Sequence, residues 1–286
     1  IRPFFLDFEG TSMDDWLNYL FTLLPVAATA GFLAGLLGIG GGILTTPILV
    51  YALRGEFGPI SYLQQIAIAT SFAIMVVTVA FALYQHHRSG KVRWDILRTA
   101  FPFLLIGASM GSITAAYVSS NILQLLFIIF LFVLAFKNIW SFFVKVENIT
   151  ELTAGRTRFL SFITGLIASL AGIGGGVIFV PFLLHHKIPI KIAAATSPAV
   201  NLSIALIGAI INFGTGILHT ADLPHGYFLG FIYLPWFFAL AICSIIFVPL
   251  GAKVSAKASP ALLKGLLTLL LFVIACRMLY DLWPIL

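Results

Sequence analysis

The sequence predicts an all-α polytopic membrane protein built from two inverted-topology repeats, each with a Gly-rich broken, re-entrant helix hairpin. Three observations predict it. First, the 286 residues are 60% hydrophobic and 9% charged, whereas a soluble domain carries about 25% charged residues. So few charges cannot cover a soluble surface of this size. Second, apolar runs such as 66–83 and 228–250 are long enough to cross a bilayer as helices. Third, the pentapeptide GIGGG occurs twice, at 38–42 and 172–176, each time inside an apolar segment.

Taken in order, the apolar stretches fall near 16–37, 43–53, 62–85, 97–118, 121–144, 158–171, 177–187, 190–213, 226–250 and 260–282. Those at 43–53, 158–171 and 177–187 are too short to span alone, since about 20 residues are needed. All three touch a GIGGG. Residues 1–15 are acidic and lack the basic start and small-residue cleavage site of a removable signal peptide. They read as an extracytoplasmic segment, followed by a first transmembrane repeat at 16–144, a cytoplasmic linker at 145–157 and a second repeat at 158–286.

The repeats rest on sequence identity. Residues 31–50 and 165–184 are identical at ten of twenty positions, including Gly31 with Gly165, the GIGGG and Pro47 with Pro181. Thr70-Ser71 matches Thr196-Ser197 on the helix after each break, and the stretch from Gly111 to Lys137 matches that from Gly251 to Arg277. Duplicated bundles of this size are typical of transporters. Charge orients them. With ten alternating legs, thirteen of the 16 Lys and Arg collect on one side, leaving Arg2, Arg54 and Arg277 on the other. By the positive-inside rule the first side is cytoplasmic, and both termini lie outside. Five legs per repeat is an odd number, so the copies face opposite ways. The net charge of +6 therefore marks cytoplasmic loops rather than a nucleic-acid partner.

Broken helices survive in a membrane only where protein buries them or where they line a watery cavity. Each GIGGG is thus expected to end one helix and start another near mid-bilayer, and inversion sets the two hairpins tip to tip. The helices starting near Ile43 and Val177 then aim free N–H groups and positive dipole ends at the midplane, which favours an anion. The candidate binding residues are Gly40, Gly41, Gly42, Thr45, Thr46, Gly174, Gly175 and Gly176. Phe179 and Val180 stand where Thr45 and Thr46 do in the other copy, so the halves are unequal. Pro47 and Pro181 are expected in the first turn or so of the half-helices, where a missing N–H costs little. The competing reading of the glycines is tight helix packing. Thr70, Ser71, Thr196 and Ser197 lie roughly 10–13 Å into their helices at 1.5 Å per residue, level with the breaks. They join the candidate site or back-bond to their own helix. Asn201, one turn further on, lines the cavity or bridges helices. Gln64 and Gln65 open their helix and read as interfacial.

Other chemistry finds little footing. Cys243 and Cys276 have no ligand spacing and read as small hydrophobes. His86-His87 and His185-His186 sit at expected membrane interfaces with no Cys or carboxylate cluster nearby, so neither a metal nor a cofactor is expected. HExxH, GxSxG and paired aspartates are absent, which argues against an enzyme. All ten carboxylates lie in loops or at helix ends, which argues against a carboxylate proton relay. The expected partners are a small anionic substrate and membrane lipid, with oligomeric state left open.

The two GxGGG-Pro hairpins, the Thr-Ser pairs, the stretch Gly90-Lys91-Val92-Arg93-Trp94 and the element from Pro249 to Ala252 followed by Ser259-Pro260 together resemble the TauE/SafE sulfite exporter family of bacterial and archaeal membranes. The resemblance runs from about residue 20 to the end. It implies movement of sulfite or organosulfonate anions, most often outward and in some relatives inward, at a cell membrane. It carries the Gly-rich hairpins onto 38–42 and 172–176 and the Thr-Ser positions onto Thr70, Ser71, Thr196 and Ser197. Phe72 departs from the Pro found at position 198. A permease for another small anion, such as a carboxylate, is the alternative.

Overall fold

The structure is a computed structural model. It describes residues 13–37, 42–58, 60–88, 90–143, 153–219, 221, 223–224, 226–255 and 257–283. Among them the chain forms α1 (Met13–Leu37), α2 (Gly42–Phe57), α3 (Leu63–Arg88), α4 (Trp94–Tyr117), α5 (Ser120–Phe143), α6 (Ala154–Ala171), α7 (Gly176–His185), α8 (Ile190–Leu218), α9 (Leu234–Ser255) and α10 (Pro260–Leu282). A small antiparallel hairpin, β1 (Phe228–Leu229) with β2 (Ile232–Tyr233), precedes α9 and pairs Phe228 with Tyr233. Six helices, α3, α4, α5, α8, α9 and α10, are long and apolar enough to cross a membrane. With 10 residues, α7 is ~15 Å long at 1.5 Å per residue, about half the hydrocarbon thickness.

The second break is set by local chemistry. Gly172 adopts φ 68°, a left-handed conformation that a side chain disfavours, and its N–H turns back to the carbonyls of Ala168 and Ser169. Ile173 N–H bonds Ala168 O at 2.9 Å, so the Ala168 and Ser169 carbonyls near the end of α6 are satisfied before the chain restarts at Gly176. In the first copy α1 ends at Leu37 and α2 starts at Gly42; the candidates Gly40 and Gly41 lie outside the described residues. Pro47 and Pro181 fall deeper than expected, each the sixth residue of its helix. There each removes a helical hydrogen bond rather than replacing an already free N–H.

The helices pack in pairs: α3 on α8, α4 on α6, α1 on α9 and α5 on α10. The α1–α9 and α4–α6 pairs are glycine-tight. A Cβ on Gly35 would collide with the Val248 carbonyl, and one on Gly107 with the Phe162 carbonyl. α3 lies at the centre, with 56% of its span buried; α10 lies at the edge, with 22% buried. Exposed apolar side chains such as Val133, Phe136, Leu269 and Val273 cover these outer helices, as contact with lipid tails requires. Gln64 and Gln65 open α3 as expected and are buried within the protein, where Gln65 Nε2 donates to Val118 O at 2.7 Å across the α4–α5 turn.

Gly35→Val forces a side chain into the α9 backbone and is expected to lower the unfolding free energy in detergent by about 1–3 kcal/mol. Gly55→Ala, whose added Cβ meets nothing within 4 Å, is expected to be neutral or slightly stabilising.

Candidate functional site

The start of α2 packs against the second break. A Cβ on Gly42 would sit 3.0 Å from Ile173 Cα and 3.2 Å from Gly172 O. Three hydroxyls gather at that carbonyl. Thr46 Oγ1 donates to Gly172 O at 2.9 Å, Ser71 Oγ donates to it at 3.3 Å, and Thr45 Oγ1 lies 2.8 Å from Ser71 Oγ. All three residues are buried. Asn201 does the matching work on the donor side: Gly176 N–H, the first of α7, bonds Asn201 Oδ1 at 2.6 Å. Gly176 must be glycine here, because a Cβ would run into Ser197 Oγ. The Gly176 N–H, expected from the sequence as a free donor, is therefore capped by a side chain of another helix.

Beside this junction lies a cavity of about 670 Å³. Its deep end is formed by Thr45, Gly176, Ser197, Asn201 and Ser244, and it extends past Ile74 and Val248 to Gln85, Lys137, Ile190 and Ala252. Exposure gives its direction: Thr45 and Asn201 are buried, whereas Gln85, Lys137, Ile190 and Ala252 are exposed. The mouth thus lies where α3, α5 and α9 end and α8 and α10 begin. No Asp or Glu lines it, and Lys137 does. Among the described residues no group of three or more His, Cys, Asp or Glu is placed to hold a metal ion.

The opposite face is packed shut by rings. Phe57 meets Tyr233 at 5.3 Å and Phe228 at 5.8 Å, and Tyr62 meets Phe231 at 5.3 Å and His219 at 5.0 Å. Tyr62 Oη and His219 Nδ1 are 3.2 Å apart, and Tyr233 Oη donates to Glu56.

The Sulfite exporter TauE/SafE family model matches residues 23–278. The chain belongs to the TauE/SafE family. It is 33% identical over 265 residues to a "Probable membrane transporter protein" of Haemophilus influenzae, covering 91% of this chain and 98% of that one. It is 29% identical over 267 residues to a similarly named protein of Methanocaldococcus jannaschii, covering 90% and 96%. A third, from Bacillus subtilis, is 24% identical over 300 residues, covering 91% and 97%. No solved structure matches. The protein is thus a multi-pass member of a family of membrane transporters, not of enzymes.

In this TauE/SafE chain the candidate residues fall into three groups. Thr45, Gly176, Ser197 and Asn201 line the cavity. Gly42, Thr46 and Ser71 tie α2 to the second break behind it. Gly174 and Gly175 are buried in that break; a Cβ on Gly174 would lie 2.8 Å from Asn201, and one on Gly175 2.8 Å from Thr164 Cγ2. Thr70 and Thr196 face elsewhere. Thr70 Oγ1 accepts from Tyr233 N–H at 3.0 Å. Thr196 Oγ1 accepts from Arg93 N–H at 3.2 Å while back-bonding Ile192 O at 2.8 Å. Each threonine thus pins the loop that leads into α9 or α4. Asp95 takes two N–H groups of Arg93 and raises that guanidinium's pKa above its ordinary value. Ser244 and Lys137 were missed from the sequence. A serine inside the otherwise apolar α9 was the available signal for the first, and the cation nearest the middle of its segment for the second.

Asn201→Leu leaves the buried Gly176 N–H without an acceptor and is expected to cost ~1–3 kcal/mol of stability, with Thr46→Val costing ~1 kcal/mol. Ser197 Oγ has no protein hydrogen bond among the described residues, so Ser197→Ala is expected within ~0.5 kcal/mol of the parent. Unfolding of the purified protein in detergent checks this order.

Proposed function

We propose that the protein moves a small sulfur-containing anion, sulfite or an organosulfonate, and that the anion rests at mid-membrane beside the two helix breaks. The observation that carries this reading is the cavity itself. It is open at one face, free of carboxylates, polar at its blind end through Thr45, Ser197, Asn201 and Ser244, and has Lys137 towards its mouth. Neutral donors at the end of an apolar passage attract an anion without trapping it. The volume of about 670 Å³ falls in the range of small-molecule sites and admits an organosulfonate as well as sulfite. The family's description as sulfite exporter supports the substrate class.

The reading takes α1–α5 and α6–α10 as inverted repeats. Their contacts support it. Exchanging each helix for its repeat partner turns α4 on α6 into α9 on α1, and returns α3 on α8 and α5 on α10 to themselves. The threonine clamps exchange too: Thr70 with the chain before α9, Thr196 with the chain before α4. The mouth lies on the face that collects most of the basic loops, which the positive-inside rule makes cytoplasmic. From there an anion leaves with the membrane potential, gaining about 2.3 kcal/mol per charge per 100 mV, so export needs no coupled ion.

Purified protein in liposomes is expected to move sulfite or short sulfonates in preference to carboxylates, unaltered and faster with an imposed potential. Preference for a carboxylate would replace the substrate class, and flux unchanged on collapsing the potential would remove the driving force. Ser197→Ala, losing one hydrogen bond to a charged ligand, is expected to weaken sulfonate binding about tenfold, read by titration calorimetry in detergent.

A further inference from the structure

We infer that a second arm of the anion's path lies closed on the far side of the helix breaks, lined by Gln64, Ser112, Thr164, Ser169 and Asn212. The inference rests on the inverted-repeat reading above and assigns to it residues that no motif marks.

The observation is a set of stranded polar atoms. Each of the five residues is 0% exposed. Among the described residues, Gln64 Oε1 and Nε2, Ser112 Oγ, Thr164 Oγ1, Ser169 Oγ and Asn212 Oδ1 have no hydrogen-bond partner. An isolated case invites a local explanation, but five such residues in one membrane protein need a shared one. Three of the five lie near one another or near the break. Ser169 Cβ is 2.9 Å from where a Cβ on Gly111 would stand, next to Ser112, and Thr164 Cγ2 is 2.8 Å from the same point on Gly175.

The repeat supplies the shared explanation. The register that pairs Gly31 with Gly165 sets Thr164 against Ala30 and Ser169 against Gly35. The register that pairs Ser71 with Ser197 sets Gln64 against Ile190 and Asn212 against His86. The register that pairs Gly111 with Gly251 sets Ser112 against Ala252, and Lys137 against Arg277. Ala30, Gly35, His86, Ile190, Ala252 and Lys137 all line the open cavity. These five stranded residues therefore fall on the inverted image of the open passage, whereas Ser161, Gln65 and Trp236, which also carry unpartnered buried atoms, pair with Ala27, Lys191 and Ile96 away from it. Arg277, the image of Lys137, lines a pocket with Arg54, Tyr280 and Asp281 at the opposite ends of the helices, and there it pairs with Asp281 at 3.5 Å.

Closed, this arm is covered by the hairpin before α9, whose Phe231 N–H bonds Asn212 O at 3.4 Å. Opened, it would present neutral donors and acceptors to water and to an oxyanion, as Thr45, Ser197 and Asn201 line the open cavity now. Unpaired polar groups raise the free energy of the closed arm, which keeps the two states close enough to exchange.

The test uses the full chain with Cys243→Ala and Cys276→Ser, carrying single cysteines by Ala252→Cys, Ser112→Cys or Ser169→Cys. A membrane-impermeant methanethiosulfonate is added to one face of sealed vesicles at a time, with and without sulfite or a short sulfonate. Ala252→Cys is expected to react from one face, and Ser112→Cys and Ser169→Cys from the opposite face, with added anion altering their rates. Protection of both serine-site cysteines from both faces, or reaction from the Ala252 face, overturns the inference. Opposite-face labelling in a chain that carries none of the anions tested removes the substrate class while keeping the second arm. As an independent measurement, Ser169→Ala and Thr164→Val delete stranded hydroxyls from the closed form. They are expected to raise the Tm and slow transport about fivefold. A lowered Tm, or transport left unchanged, overturns the inference as well.

Discussion

Everything in this structure depends on how two interrupted backbones are satisfied where water is scarce. A helix that stops inside a bilayer strands carbonyls at one end and N–H groups at the next. Here the debt is settled between helices rather than within them. Thr46 and Ser71 cover the carbonyl of Gly172, and Asn201 covers the N–H of Gly176. Neither cover is local in sequence. The start of α2 and the second break from which α7 emerges are held by the same cluster.

That mutual support explains why polar side chains stand at the blind end of the cavity. Thr45 and Asn201 bond across to Ser71 and Gly176, and the same residues line the cavity. Substitutions of Thr45 or Asn201 therefore disturb packing as well as the cavity lining, whereas Ser197 and Ser244 line the cavity with no protein hydrogen bond among the described residues.

The ten helical segments were legible because glycine runs and charged loops punctuate an otherwise uniform apolar chain, and helix ends follow those marks. The short α7 was legible because its apolar run falls short of a bilayer, whereas α2 and α6 run to 16 and 18 residues because the helix continues through polar residues beyond the apolar stretches at 43–53 and 158–171. The hairpin at 228–233 was not, since two-residue strands inside an apolar run carry no period. The parts played by Thr70 and Thr196 were hidden for another reason: each hydroxyl accepts from a backbone N–H more than a hundred residues away in sequence, a partnership that no local pattern announces. Lys137 was read as a loop-side charge because α5 is apolar all round, and such a helix does not declare which face looks inward. Gln64 and Gln65 were read from their place at a helix start, which does not announce that packing buries both.

The glycine seams bear on how such a molecule can move. α1 is locked to α9, and α4 to α6, with backbones too close to slide past one another. Each locked couple joins a helix from the first half of the sequence to one from the second. The two halves of the sequence are therefore interlaced, and moving one as a body against the other would require both seams to part.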